Sequence, residues 1–177
     1  MANILLAYSS TDGHTLKICL RIKQIIEQQA HSVNLVAITE VTTEELNACD
    51  KFVLGACIRY GKHLPAVYTF INNNLTCLQH KANAFFSVNV VARKPTKRTP
   101  QSNPYLKKFL RHSNWQPKAL AVFAGKIDYA KYGFWDKHMI RFIMWLTHGP
   151  IDLNTAVEFT DWDAVDAFAL QIAQSNY

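Results

Sequence analysis

Asn3-Ile4-Leu5-Leu6-Ala7-Tyr8-Ser9-Ser10-Thr11-Asp12-Gly13-His14-Thr15 runs from an uninterrupted apolar segment into a cluster of small hydroxyl residues and a glycine. Residues 3–8 read as a strand buried on both faces, because nothing in them alternates with polar side chains. Ser9 to Gly13 is turn and cap chemistry, and beyond it Leu16, Cys19, Leu20, Ile22, Ile25 and Ile26 recur at helical spacing to about Gln29. A loop of this composition, opening a helix directly after a buried strand, leaves backbone N–H groups free to surround an anion, and the helix dipole adds partial positive charge. No Gly-Lys-Ser/Thr follows and no G-x-G-x-x-G is present, so the loop suits a monophosphate better than a nucleoside triphosphate or a dinucleotide. A capped helix start that holds nothing is the plainer alternative.

Outward from this stretch, strands and helices alternate. Residues 33–38, 52–58, 84–92 and 119–124 read as further strands. Residues 42–46 begin a short helix capped by Thr42 or Thr43, Pro65 opens a helix over 65–73, and residues 165–173 form a last helix, with Thr160 and Asp163 spaced as a capping box. The pattern predicts an α/β fold with a parallel sheet and helices on both faces, its ligand site at the carboxyl ends of the strands where strand order reverses. No linker divides the chain, so residues 1–177 are expected to form one domain. Residues 93–118, between the fourth and fifth strands, read as a long irregular insertion.

The net charge of +6 is unevenly spread: no acidic residue lies between Asp50 and Asp128, while residues 51–126 hold thirteen Lys or Arg. A field of one sign favours anionic partners, whether phosphates, carboxylated substrates, nucleic acid or acidic headgroups. Cys19, Cys49, Cys57 and Cys77 form no C-x-x-C pair, so free thiols are expected and a metal site is not. The opening residues lack a basic n-region and no apolar run reaches the ~18–20 residues of a spanning helix, which predicts a cytoplasmic protein.

Ser10-Thr11-Asp12-Gly13-His14-Thr15 resembles the flavodoxin phosphate loop, T/S-x-T-G-x-T, except that Asp12 replaces a threonine. Four further stretches narrow the resemblance. They are Leu54-Gly55-Ala56-Cys57-Ile58-Arg59-Tyr60-Gly61, Phe86-Ser87-Val88-Asn89-Val90-Val91-Ala92-Arg93-Lys94-Pro95, Lys97-Arg98-Thr99-Pro100-Gln101 and Phe159-Thr160-Asp161-Trp162. Together they are similar to the bacterial quinone-dependent protoporphyrinogen IX dehydrogenases, over essentially the whole chain and with Asp12 included. The resemblance implies a flavodoxin-like three-layer sandwich whose five-stranded parallel sheet has the order 2-1-3-4-5, with the basic insertion after strand 4. It also implies an FMN cofactor, protoporphyrinogen IX as substrate and a membrane quinone, menaquinone or ubiquinone, as acceptor.

On that footing Ser10, Thr11, Asp12, Gly13, His14 and Thr15 would hold the phosphate, with the Asp12 carboxylate turned away from it and bonded to loop amides. Ala56, Cys57, Ile58, Arg59, Tyr60, Gly61, Ser87, Val88 and Asn89 would flank the flavin ring. Arg93, Lys94, Lys97 and Arg98 would bind the substrate's propionates as charge-assisted pairs. Tyr60 is either a stacking aromatic or an ordinary loop residue, and Asn89, an amide within an apolar strand, needs partners in the flavin or in a neighbouring loop. No residue declares itself a catalytic base, since the flavin carries the chemistry; His14 and His63 lie near these loops.

Residues 134–148 read as a helix with Lys137, His138 and Arg141 on one side and Trp145 among them. It either packs on the sheet or lies in a lipid interface, and attachment to the inner membrane's cytoplasmic face would be peripheral. A homo-oligomer is left open. The competing functions are an NAD(P)H:quinone reductase on the same fold, an electron carrier, which a pI near 9.2 disfavours, and a nucleic-acid module. The last lacks a helix-turn-helix, zinc or RNP signature, so no nucleic acid is expected.

Overall fold

A computed structural model describes residues 1–129, 134–146, 152 and 156–175. Five parallel strands form its main sheet: β1 (Asn3–Ser9), β2 (Ser32–Ala37), β3 (Lys51–Arg59), β5 (Ala82–Asn89) and β6 (Ala119–Ala124), in the order β2-β1-β3-β5-β6. The two-residue strand β4 (Lys62–His63) folds back antiparallel on the end of β3. Counting only the parallel strands, this is the expected order 2-1-3-4-5.

Period-two alternation divides each strand between two cores. Ile4 and Leu6 of β1, Val53 of β3 and Phe86 of β5 face one side, with Ile18, Ile22 and Ile26 of helix α1 (His14–Gln28) and Val165, Phe168 and Ile172 of helix α6 (Trp162–Gln174). Leu5, Phe52, Leu54 and Phe85 face the other, covered by helices α2 (Thr43–Ala48), α3 (Pro65–His80) and α4 (Pro104–His112) through Leu46, Ile71 and Phe109. Helices on both faces of a parallel sheet make the three-layer sandwich.

The helix starts follow local chemistry. Thr42 and Glu45 form a reciprocal capping box at α2. Pro65 begins α3, which continues to His80, past the expected 73. Thr160 does not cap α6; Asp161 does, its side chain accepting from the Ala164 N–H, while the Thr160 hydroxyl donates to the Ala124 carbonyl instead. At its other end α6 is closed by a distant residue. Lys51, buried at the start of β3, donates its ammonium to the carbonyls of Ile172, Ala173 and Ser175 at 2.6–3.1 Å.

Residues 93–118 are more ordered than a loop reading allows. The expected fourth strand stops at Asn89, and Val90–Arg93 and Pro95–Lys97 form 3₁₀ turns. Asn103 then caps α4 by accepting from the Tyr105 and Leu106 N–H groups, with Pro104 at the first helical position. Leu106 and Phe109 are buried while Lys107, Lys108 and Arg111 face solvent, so the basic residues ride on an amphipathic helix. After β6, a small antiparallel pair, β7 (Lys126–Asp128) and β8 (Ala156–Glu158), brackets helix α5 (Phe134–Leu146). His148, the end of the helix expected over 134–148, lies outside the described residues.

Candidate functional site

A cleft opens at the carboxyl ends of β1, β3 and β5, where strand order reverses. It encloses about 1020 Å³, open mouth included. Its first wall is the loop after β1, supplying Ser10, Thr11, Asp12, His14 and Thr15. Gly13 precedes α1 with φ 82°, a left-handed conformation that glycine adopts without strain, and a Cβ there would meet nothing within 4 Å. The Ser10 hydroxyl accepts from the Gly13 N–H at 3.1 Å. No side chain caps the start of α1. The Thr15 hydroxyl is buried without a hydrogen-bond partner, one of two such side-chain atoms among the described residues. An uncapped helix start beside an orphaned hydroxyl fits an anion with several acceptor oxygens, such as a phosphate monoester.

Asp12 also borders the cleft, but its partner is a guanidinium rather than loop amides: Arg59 Nη1 donates to its carboxylate at 3.1 Å. The pair ties the first wall to the second, the β3–β4 hairpin, which contributes Cys57, Ile58, Arg59, Tyr60 and Gly61. Ile58 pairs with His63 and Arg59 with Lys62, so Tyr60-Gly61 is a two-residue turn. Both turn residues have positive φ, 49° and 76°, as a type I′ turn requires. Glycine takes this conformation freely; Tyr60 is held there by the hairpin, its ring exposed and 5.2 Å from the Arg59 guanidinium.

Beneath the hairpin runs a buried polar chain. The Asn103 amide donates to Asn89 Oδ1 at 3.1 Å, and Asn89 Nδ2 donates to the Ser87 hydroxyl at 3.3 Å. Ser87 Oγ lies 3.5 Å from His63 Nε2, and His63 Nδ1 lies 3.1 Å from the Cys57 carbonyl. The carbonyl only accepts, so Nδ1 carries the proton and Nε2 is left as an acceptor. Phe85 and Phe109 pack edge-on against the imidazole, and burial lowers its pKa to about 4. Asn89 therefore has its partners in neighbouring segments, including the Ala92 N–H, while still lining the cleft beside Val88.

Of the residues read from sequence, Gly13, Ala56 and Ser87 do not line the cleft; Ala56 of β3 and Ser87 of β5 are fully buried in the sheet. Arg93, Lys94, Lys97 and Arg98 do not line it either. Arg93 is half-buried and donates to the Val90 carbonyl, Lys94 and Lys97 are exposed, and Arg98 approaches Asp161 at 4.0 Å. Val90 and Val91, within the Ser87–Arg93 stretch expected beside the flavin, also line the cleft, but sequence reasoning missed its far side: Tyr105, then Gly125, Lys126 and Ile127, and finally Met139, Ile140 and Met144 of α5. Gly125 and Lys126, directly after the fifth strand, carried a usable signal, since that strand also ends at the reversal side.

His14 joins the phosphate loop to the last helix. Its Nε2 sits 2.7 Å from the Thr160 hydroxyl, whose own proton goes to Ala124 O, so the imidazole donates. Burial is the main cause of its lowered pKa, opposed by the nearby Glu158 carboxylate.

The flavodoxin-domain family model matches residues 5–154. Protoporphyrinogen IX dehydrogenase [quinone] of Escherichia coli K12 is 37% identical over 169 residues, spanning 96% of this chain and 93% of that protein. The Leishmania major protein of the same name is 39% identical over 170 residues, 96% of this chain and 74% of that one. Among solved structures, oxidised flavodoxin 1 of Bacillus cereus superposes with TM-score 0.57 at 12% identity over 99% of this chain and all of that one. A flavodoxin from an archaeon gives 0.53 at 18% identity, covering 97% and 96%. The chain belongs to the flavodoxin-domain family, in the branch of its protoporphyrinogen IX dehydrogenase [quinone] relatives.

Proposed function

We propose that this chain binds FMN in the cleft and uses it to oxidise protoporphyrinogen IX to protoporphyrin IX, a late step of heme biosynthesis. A membrane quinone, menaquinone or ubiquinone, is the final acceptor. The observation that carries the cofactor is the buried, unpartnered Thr15 hydroxyl beside the uncapped start of α1. Ser10, Thr11, Thr15 and the first amides of α1 hold the phosphate. Tyr60, exposed on its strained turn, and the β5 end at Val88 and Asn89 border the ring. Bound FMN supplies two-electron acceptance from one reactant and donation to the other.

The protein's own contribution is placement. The Asp12–Arg59 pair keeps the carboxylate neutralised, so the phosphate meets hydroxyls and amides. Val90, Val91, Ile127, Ile140 and Met144 give the outer cleft an apolar lining for a macrocycle or a quinone ring. Arg93, Lys94, Lys97 and Arg98, on the turns directly after β5, bind propionates at the rim, where a carboxylate stays partly hydrated. The protein works in the cytoplasm, attached peripherally to the inner membrane that holds the quinone.

Anaerobic turnover tests the proposal. FMN-loaded protein, protoporphyrinogen IX and a menaquinone analogue are mixed and porphyrin fluorescence is followed. Growth of fluorescence that needs both quinone and FMN is expected. Absence of porphyrin, together with rapid quinone reduction by NADH or NADPH, would move the function to a quinone reductase.

A further inference from the structure

We infer that the outward face of α5, with Tyr60 beside it, is the surface that docks on an anionic lipid bilayer, and that docking turns the mouth of the cleft toward the apolar phase. Six large apolar side chains are exposed among the described residues, and four gather here: Tyr60 at 61%, Met139 at 41%, Phe142 at 60% and Trp145 at 64%. Tyr60 and Met139 also line the cleft, so the patch is continuous with it. Phe142 and Trp145 lie with ring centroids 6.1 Å apart. The inner face of the same helix is accounted for, since Ile140 and Met144 pack on Ile127 and Tyr129. What remains outward is a stripe at spacing i, i+3, i+6 with no protein against it among the described residues.

Charge decides what covers the stripe. His138 and Arg141 are exposed beside it and Lys137 is half-buried, against a single acid in α5, Asp136. A second copy docked face to face would set these basic groups against their own equivalents. An anionic headgroup layer attracts their positive charge while the aromatic rings and Met139 enter the acyl boundary. No described helix is long and apolar enough to cross a membrane, so α5 lies in the plane of the interface. Only the last step rests on the proposed function: a cleft that opens beside the stripe takes lipid-dissolved reactants without passage through water.

The test is flotation of the FMN-loaded full chain with phosphatidylcholine vesicles, with and without phosphatidylglycerol. Binding is expected with phosphatidylglycerol. The double variant Phe142→Ser/Trp145→Ser should lower the partition about tenfold or more, since two exposed aromatic anchors are lost. Lys137→Glu/Arg141→Glu should abolish the preference for phosphatidylglycerol and leave the aromatic rings in place. Turnover of detergent-dispersed substrate should persist in both variants, which also reports that they fold. Equal partition of wild type and the serine variant overturns the docking face. A wild-type dimer in gel filtration that the serine variant dissolves overturns it in favour of self-association. Protein that floats through α5 yet forms no porphyrin keeps the docking face and removes the proposed reaction.

Discussion

Lowering the pH should destabilise this protein through one histidine. His63 is 1% exposed, held by the Cys57 carbonyl and packed edge-on against the stacked rings of Phe85 and Phe109. Burial pulls its pKa from 6.5 down to about 4. The unfolded chain takes up the proton first, so stability is intact above pH 6.5 and falls as the pH drops toward about 4, below which the loss is complete. At about 1.4 kcal/mol for each pH unit of that window, the full loss is about 3 kcal/mol, a large part of the ~5–15 kcal/mol of a typical domain. The assay is urea unfolding followed by far-UV circular dichroism at a series of pH values, for wild type and His63→Gln. Glutamine costs some packing at every pH but cannot titrate, so subtracting its curve removes every other ionisable group. The difference should shrink by about 3 kcal/mol between pH 7 and pH 4. Because His63 carries the hairpin that presents Tyr60, flavin should leave in the same window. Parallel stability curves would refute the assignment of acid sensitivity to this imidazole.

Three substitutions probe the site and its supports. Gly13→Asp places charge and a strained φ at the phosphate loop, and should give folded protein without flavin, read from the 450 nm region of its absorbance. Thr15→Val removes a hydroxyl that has no partner, so the thermal midpoint without flavin should hold or rise while FMN affinity, by fluorescence quenching, falls about tenfold. Asn103→Ala deletes the α4 cap and removes one buried donor each from Asn89 Oδ1 and the Lys97 carbonyl, and should cost about 2–4 kcal/mol in chemical denaturation.

The buried strands were legible because a parallel sheet covered on both faces leaves no polar alternation, as in Ile4-Leu5-Leu6-Ala7. The phosphate loop was legible because its spacing is local. What escaped depends on partners distant in sequence. Asp12 was expected to bond its own loop, yet its partner, Arg59, is 47 residues away. Thr160 matches a cap by spacing alone, but the nearby Ala124 carbonyl takes its hydroxyl and leaves Asp161 to cap α6. The run of lysines and arginines in 93–118 masked α4, although Asn103-Pro104 announced its start and Leu106 and Phe109 its buried side. The cleft's far wall comes from β7 and α5, whose approach to β1 no local pattern encodes.

The ammonium of Lys51 has a consequence for how the chain reaches this fold. Its three carbonyl acceptors lie 121–124 residues further along, at the end of α6. During synthesis from the amino end, β1, β2 and β3 emerge long before that helix, and Ile4, Leu6 and Val53 lack half of their cover until it arrives. The central strands therefore assemble with one face covered by α1 alone and a lysine still in water. Docking of α6 completes the cover of that face and desolvates the lysine in one long-range step, which ties native stability to a helix made more than a hundred residues after β3.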